Sequence, residues 1–184
     1  MKYNPRLHHR RSIRLKGYDY SSEGGYFVTI CTHNRECLFG EVVEEKMRLN
    51  EIGQIVKEEW ARTSEIRQEV GLDAFVVMPN HLHGVIIINT DPSKEMHNVG
   101  THGPASLRRQ PRSLGSIVAG FKSAATKRIN AHRNSPRMPV WQNRFYEHII
   151  RDEDDRNRIR HYILENPRRW FYDEENPSNI KSQR

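Results

Sequence analysis

The stretch Phe75-Val-Val-Met-Pro-Asn-His-Leu-His-Gly-Val-Ile-Ile-Ile88 carries the strongest signal in this sequence. Its β-branched and aromatic residues favour two strands, and Met78-Pro-Asn80 between them marks a bend. Residues two apart in a strand project from the same face, so His81 and His83 point together while Leu82 points away. Two imidazoles on one face can hold a single metal ion and leave positions open for a substrate oxygen. The alternative is two polar residues on the solvated face of a half-buried strand.

A second informative segment lies nearer the C-terminus, where residues 151–167 have the pattern of a helix that ends at its proline. Asp152 is suited to the N-cap, acidic residues fill the first turn, and basic residues follow. Tyr162 and Asn166 are four residues apart and therefore share one face of the helix. The helix can present a phenol and an amide oxygen together, although both residues are also compatible with ordinary packing roles.

The order of the remaining elements predicts an α+β fold. Strands are expected at 26–32, 42–43, 72–77, 82–88 and 145–150, and Asn50 and Ser113 are expected to cap two long helices with apolar stripes. This order favours a ferredoxin-like antiparallel sheet with helices on one face and an additional C-terminal helix, carrying Tyr162, against the other face. Residues 89–112 show no periodicity and indicate a long loop, whose His97 and His102 are interpreted as loop histidines.

Three separated motifs carry a family resemblance. They are Met78-Pro-Asn-His-Leu-His-Gly-Val85, Trp141-Gln-Asn-Arg-Phe-Tyr-Glu-His-Ile-Ile-Arg-Asp152 and Tyr162-Ile-Leu-Glu-Asn-Pro167. In this order and spacing they resemble the REP-associated tyrosine transposases, a branch of the single-tyrosine HUH transposases that act on single-stranded DNA. Segments 11–20 and 25–32 also resemble that group, so the resemblance covers roughly residues 10 to 172.

The resemblance implies roles for particular residues. In that family the two histidines of the motif bind a divalent metal ion, and the helix tyrosine is the nucleophile. These roles map onto His81, His83 and Tyr162, and the family's metal-site residue four positions after the tyrosine maps onto Asn166. Two imidazoles with an amide oxygen suit Mg²⁺ or Mn²⁺, and Zn²⁺ is the second choice. The family's substrate is a repetitive extragenic palindrome, a DNA hairpin.

Length and charge agree with such a protein. A chain of 184 residues is long enough for one domain. We expect a basic N-terminal arm at 1–17, a nuclease domain at 18–172 and a polar tail at 173–184. The net charge of +7 favours a polyanionic partner. No apolar stretch approaches the ~20 residues that span a bilayer, and no secretion signal is evident. With only Cys31 and Cys37, these features argue against a disulfide framework and favour a cytoplasmic, nucleoid-associated protein.

Basic side chains in two regions are candidates for contacts with DNA phosphates. They are Arg10, Arg11, Arg14 and Lys16 in the arm, and Lys122, Lys127 and Arg128 in the second long helix. Either set could instead be solvated charges on a surface.

The favoured interpretation is a metal-dependent endonuclease and strand transferase that acts on single-stranded or hairpin DNA through a 5′-phosphotyrosine. Two other hypotheses stay open. One is a non-catalytic DNA-binding protein descended from such a transposase. The other is a metal-dependent hydrolase of RNA or a nucleotide, in which water attacks instead of Tyr162. A monomer and a homodimer are both compatible with the sequence.

Overall fold

A four-stranded antiparallel sheet is the centre of the fold. The structure is a computed structural model that describes Leu15, residues 17–89 and residues 112–180. Along the chain the elements are β1 (Gly24–Cys31), β2 (Gly40–Val43), β3 (Lys46–Leu49), α1 (Glu51–Ile66), β4 (Val70–Met78), β5 (His81–Ile88), α2 (Leu114–His132), β6 (Tyr146–Ile150), α3 (Glu153–Arg169) and α4 (Pro177–Ile180). The sheet has the order β4-β5-β1-β6, and β2 and β3 form a separate hairpin.

Different elements cover the two faces of the sheet. Successive side chains of β1 point to opposite faces and show which element covers each. Tyr26 and Val28 pack in the larger core with the buried sides of α1 and α2. The intervening Phe27 points the other way and packs with Val85 of β5 and Ile163 of α3. The predicted α+β fold, with two helices on one face and the tyrosine-bearing helix on the other, is confirmed.

The three long helices begin where their capping residues predict. The side chain of Asn50 accepts a hydrogen bond from Gly53 N at 2.9 Å, and that of Asp152 accepts one from Asp155 N at 2.7 Å. Ser113 caps α2 in the same way. Each bond satisfies a backbone N–H that has no partner inside the helix. These caps determine the residues at which the three helices packed on the sheet begin.

The end of α3 differs from the prediction. The helix does not stop at Pro167 but continues through it to Arg169, and a 3₁₀ turn follows at Trp170–Tyr172. A proline lacks only its own N–H, so in the last turn it removes one helical bond while the residues after it can still donate. The extension carries the chain back over the sheet and places residue 173 beside β5.

Gly84 determines how closely α1 approaches β5. A Cβ at this position would lie 2.4 Å from Cζ2 of Trp60 and 3.0 Å from its Cε2. Only glycine lets the buried indole ring lie against the strand backbone. Since Gly84 faces α1, its neighbours His83 and Val85 face the opposite side, towards α3.

Several predicted features lie outside the described residues. They are Arg10, Arg11, Arg14 and Lys16 of the arm, together with His97 and His102 of the expected loop. Within the described part, Cys31 and Cys37 are free thiols. No helix among the described residues is both long and apolar enough to cross a membrane.

Candidate metal and nucleophile site

His81 and His83 lie side by side at the start of β5, on the face covered by α3. Their side chains are almost completely buried, with 0% and 3% of the residue exposed. The two Nε2 atoms are 3.0 Å apart. That separation is what two ligands have at right angles around one ion when the bonds are about 2.1 Å long. The pair therefore does not lie on a solvated face, and its spacing suits a shared cation.

The side chain of Asn80 determines which nitrogen of His81 carries the proton. Its Nδ2 donates to the backbone carbonyl oxygens of Arg35, at 3.1 Å, and Glu175, at 2.7 Å. Because carbonyl oxygens only accept, the amide must be oriented with Oδ1 towards His81 Nδ1, 2.9 Å away. That oxygen also only accepts, so Nδ1 holds the proton and Nε2 presents its lone pair to His83.

His83 can adopt either tautomer, because its Nδ1 lies 2.8 Å from the hydroxyl of Thr29. If the hydroxyl donates, His83 Nε2 is protonated and can donate to His81 Nε2. If the hydroxyl accepts, both Nε2 atoms present lone pairs to the same point, which is stable only with a cation there. Burial lowers the pKa of both imidazoles, that of His81 to about 3, so both rings are neutral at physiological pH and available as ligands.

Tyr162 on α3 reaches the same point. Its hydroxyl lies 3.3 Å from His83 Nε2, and its ring packs edge-to-face on Phe27 with the centroids 5.9 Å apart. The residue is 39% exposed, so the side chain that places its hydroxyl next to the imidazoles remains accessible from solvent. Burial, with a further contribution from the charge of Asp173, raises the pKa of this phenol to about 12. A nearby cation is needed for it to act as a phenolate at neutral pH.

Asn166 lies one turn beyond Tyr162 and is buried, with 1% exposed. Within the described part of the chain its Oδ1 has no hydrogen-bond partner. A buried amide oxygen without a partner is costly unless something absent from the structure satisfies it. The Asn166 side chain acts on the pKa values of His81, Tyr162 and Asp173, so it lies at the same site and its oxygen is a candidate metal ligand.

Asp173 is a site residue that the sequence reasoning missed. One of its carboxylate oxygens and a ring nitrogen of each of His81 and His83 lie within 4.8 Å of one another. In the sequence it begins an acidic run and was expected to start the polar tail. No local pattern marks it: the ring of Trp170, three residues earlier, lies 6.0 Å from that of His81, but this contact arises only in the folded chain.

The three basic residues of α2 that are candidates for DNA contacts lie away from the histidines and Tyr162. Lys122, Lys127 and Arg128 lie on α2, which packs on the face of the sheet opposite to the histidines. Lys122 Nζ donates to two backbone carbonyl groups, and Arg128 forms an ion pair with Glu59 at 2.8 Å. Lys127 is exposed. The structure thus brings Tyr162, both histidines and Asn166 together but does not bring these cations to them.

Comparison with known proteins finds a related sequence and a similar solved structure. No protein-family model matches it. Over 176 residues it is 46% identical to an uncharacterized protein of Haemophilus influenzae, and the match covers 94% of this chain and 96% of that protein. Its structure is similar to that of a REP-associated tyrosine transposase bound to a REP hairpin, with a TM-score of 0.55 and 20% identity over 85% of this chain and 73% of the other. The chain belongs to one family with the Haemophilus protein, and its fold is that of the REP-associated tyrosine transposases.

Proposed function

We propose that the protein is a metal-dependent single-strand DNA endonuclease and strand transferase, a tyrosine transposase that acts on hairpin or palindromic repeat DNA. The observation that carries this proposal is the 3.3 Å approach of the Tyr162 hydroxyl to a buried pair of imidazoles. The solved relative is bound to a REP hairpin, and the net charge of +7 favours a nucleic-acid partner. Because the proposed substrate is DNA, the proposed location is the cytoplasm, at the nucleoid.

The metal would be held by His81, His83 and Asn166. Mg²⁺ and Mn²⁺ accept such a mixed set, Mn²⁺ tolerating nitrogen better, and Zn²⁺ fits less well. When bound, the ion polarises a non-bridging oxygen of the scissile phosphate and stabilises the charge that develops there. The orientation of His81 by Asn80 prepares the site for this role, because one lone pair points to the ion position before it arrives.

Tyr162 then supplies the nucleophile. Its phenol loses a proton to solvent, the oxygen forms a bond to phosphorus, and the bond from phosphorus to the 3′ oxygen breaks. The released 3′ oxygen takes up a proton and becomes a hydroxyl, while the 5′ phosphate stays on the tyrosine. Since the intermediate is itself a phosphodiester, a second 3′ hydroxyl can displace the tyrosine and rejoin the strand without ATP.

Binding of the strand would use the basic side chains named above. The arm residues Arg10, Arg11, Arg14 and Lys16 would bind phosphates of the strand, and Lys122, Lys127 and Arg128 would bind phosphates away from the histidines. A single strand can bend so that its phosphate reaches the half-exposed tyrosine, whereas stacked duplex would keep the phosphate away. A monomer and a homodimer would both present this surface.

The test is formation of a covalent adduct with hairpin DNA. Wild-type protein incubated with Mn²⁺ and single-stranded hairpins from the neighbouring genome should give a protein–DNA band that survives denaturation. Tyr162→Phe should abolish the band and keep binding. Tyr146→Phe is the matched control, since Tyr146 is 40% exposed and also packs edge-to-face on Phe27, at 6.2 Å. It should retain the adduct.

Three results would contradict the proposal, and the first two would each favour one of the other hypotheses. Tight, metal-independent binding without cleavage of any hairpin would indicate a non-catalytic DNA-binding protein. Cleavage of RNA or a nucleotide without any covalent adduct would indicate a hydrolase in which water attacks. A Tyr162→Phe variant that cleaves at the wild-type rate would also exclude the tyrosine as nucleophile.

A further inference from the structure

We propose that the carboxylate of Asp173 is a further protein ligand of the metal site, which then offers two imidazoles, the amide oxygen of Asn166 and one carboxylate. The inference rests on the proposed metal site and adds an anionic ligand to it. The donor atoms of Asp173, His81 and His83 lie within 4.8 Å of one another, a separation that a small shift of one side chain brings to bonding distance from a common ion.

Asp173 is held in place by its own turn. One carboxylate oxygen accepts a hydrogen bond from Glu175 N at 2.6 Å, and the backbone carbonyl accepts bonds from Asn176 N, at 3.1 Å, and Asn179 Nδ2, at 2.9 Å. The Asn176 side chain donates to Trp170 O at 3.0 Å and ties the turn to the end of α3. The Asn166 side chain also hydrogen-bonds this carboxylate. A carboxylate has about four lone-pair sites, so these two bonds leave lone pairs for an ion.

The turn is also joined to Arg35 and to Asn80, the residue directly before β5. Arg35 Nε lies 3.1 Å from Glu175 Oε2, and Asn80 Nδ2 donates to Glu175 O at 2.7 Å. The same Asn80 orients His81 through its Oδ1. One buried amide therefore fixes both the imidazole and the segment that delivers Asp173, which is the supporting arrangement expected around a metal site.

The donor set fits a catalytic ion. Two histidines and one carboxylate leave coordination positions open, and an oxygen anion suits Mn²⁺ and Mg²⁺ better than a third neutral ligand would. The unpartnered Oδ1 of Asn166 lies beside the same point and can occupy a further position. Asp173 would thus set the affinity for the ion, and Asn166 would adjust its geometry next to Tyr162.

The test is calorimetric titration of the full chain with Mn²⁺, without DNA. Wild type should bind one equivalent. Asp173→Asn should bind roughly tenfold or more weakly, by analogy with the 10–100-fold losses measured when groups that support metal ligands are removed. Asparagine keeps an oxygen for the Glu175 N–H, so the turn should survive. Glu174→Gln is the matched control, because it removes the same charge from the next residue, which is exposed, and it should leave the affinity within about twofold.

The outcomes separate the two proposals. Absence of Mn²⁺, Mg²⁺ and Zn²⁺ binding by wild type would overturn the metal site, and the proposed function with it. Wild-type affinity in Asp173→Asn would overturn only the role of Asp173. If that variant does not fold, anomalous diffraction from wild-type crystals with Mn²⁺ decides. An Asp173 oxygen within about 2.3 Å of the ion supports the proposal, and one beyond about 4 Å refutes it.

Discussion

Replacing Asn80 by alanine should weaken the fold and the metal site together. The change removes three hydrogen bonds of a side chain with 0% exposure: the donations to Arg35 O and Glu175 O, and the acceptance from His81 Nδ1. At about 1 kcal/mol net for each bond, the free energy of unfolding should fall by about 3 kcal/mol. For a chain of this size that corresponds to a decrease in Tm of roughly 6–12 °C.

The effect on metal binding is the more specific part of this prediction. Without the amide oxygen, the proton of His81 can move to Nε2, the atom that would bind the ion. Loss of such an orienting group typically weakens a metal site about 10–100-fold. The affinity for Mn²⁺ should be measured by calorimetry at a temperature where the variant is folded, and Tm by circular dichroism without metal.

Asn130→Ala provides the control. Asn130 is also a buried asparagine, donating to Met138 O at 3.0 Å and accepting from Arg133 Nε at 2.9 Å, but it lies on α2 across the sheet from the histidines. It should lower Tm and leave the Mn²⁺ affinity unchanged. Equal affinities of wild type and Asn80→Ala for Mn²⁺ would refute the argument that Asn80 sets the tautomer of His81.

Two further substitutions test the packing around the site. Gly84→Ala would place a Cβ 2.4 Å from the ring of Trp60 and should destabilise the protein by about 1–3 kcal/mol, measured by urea unfolding; an unchanged midpoint would contradict the close approach of α1 to β5. Asp155→Asn concerns a carboxylate whose pKa is lowered to about 2, chiefly by the hydrogen bond from His148. Because the folded pKa is below the unfolded value of 3.8, wild type should lose this stabilisation as the pH falls from about 4 towards 2. The variant should be less stable by about 1–2 kcal/mol at pH 7 and show a smaller loss over that range in acid-unfolding curves; parallel curves would show that the hydrogen bonds to the Asp155 carboxylate contribute nothing.

The sequence predicts the architecture because local signals and the topology agree. Asn50, Ser113 and Asp152 cap their helices as expected, since an N-cap depends on residues three positions apart. The alternation around His81 and His83 likewise puts both rings on one face of β5. The ferredoxin-like sheet follows from the order of these elements.

The rest of the site depends on long-range contacts. Asp173 reaches the histidines only because α3 passes through Pro167 and the Trp170–Tyr172 turn redirects the chain, and no local pattern reveals that path. The role of Asn80 was equally hidden, because its two acceptors are the carbonyls of residues 35 and 175. The ion pair between Arg128 and Glu59 could not be predicted from the sequence either, since 69 positions separate the two residues.

Peptide mapping of the covalent product is the most direct measurement of the central claim. Wild-type protein would be incubated with a hairpin and Mn²⁺, digested with protease and nuclease, and examined by mass spectrometry. A nucleotide bonded through its 5′ phosphate should be found on the peptide that contains Tyr162. Attachment to Tyr146 or Tyr172 instead, or cut DNA with every tyrosine unmodified, would contradict the account.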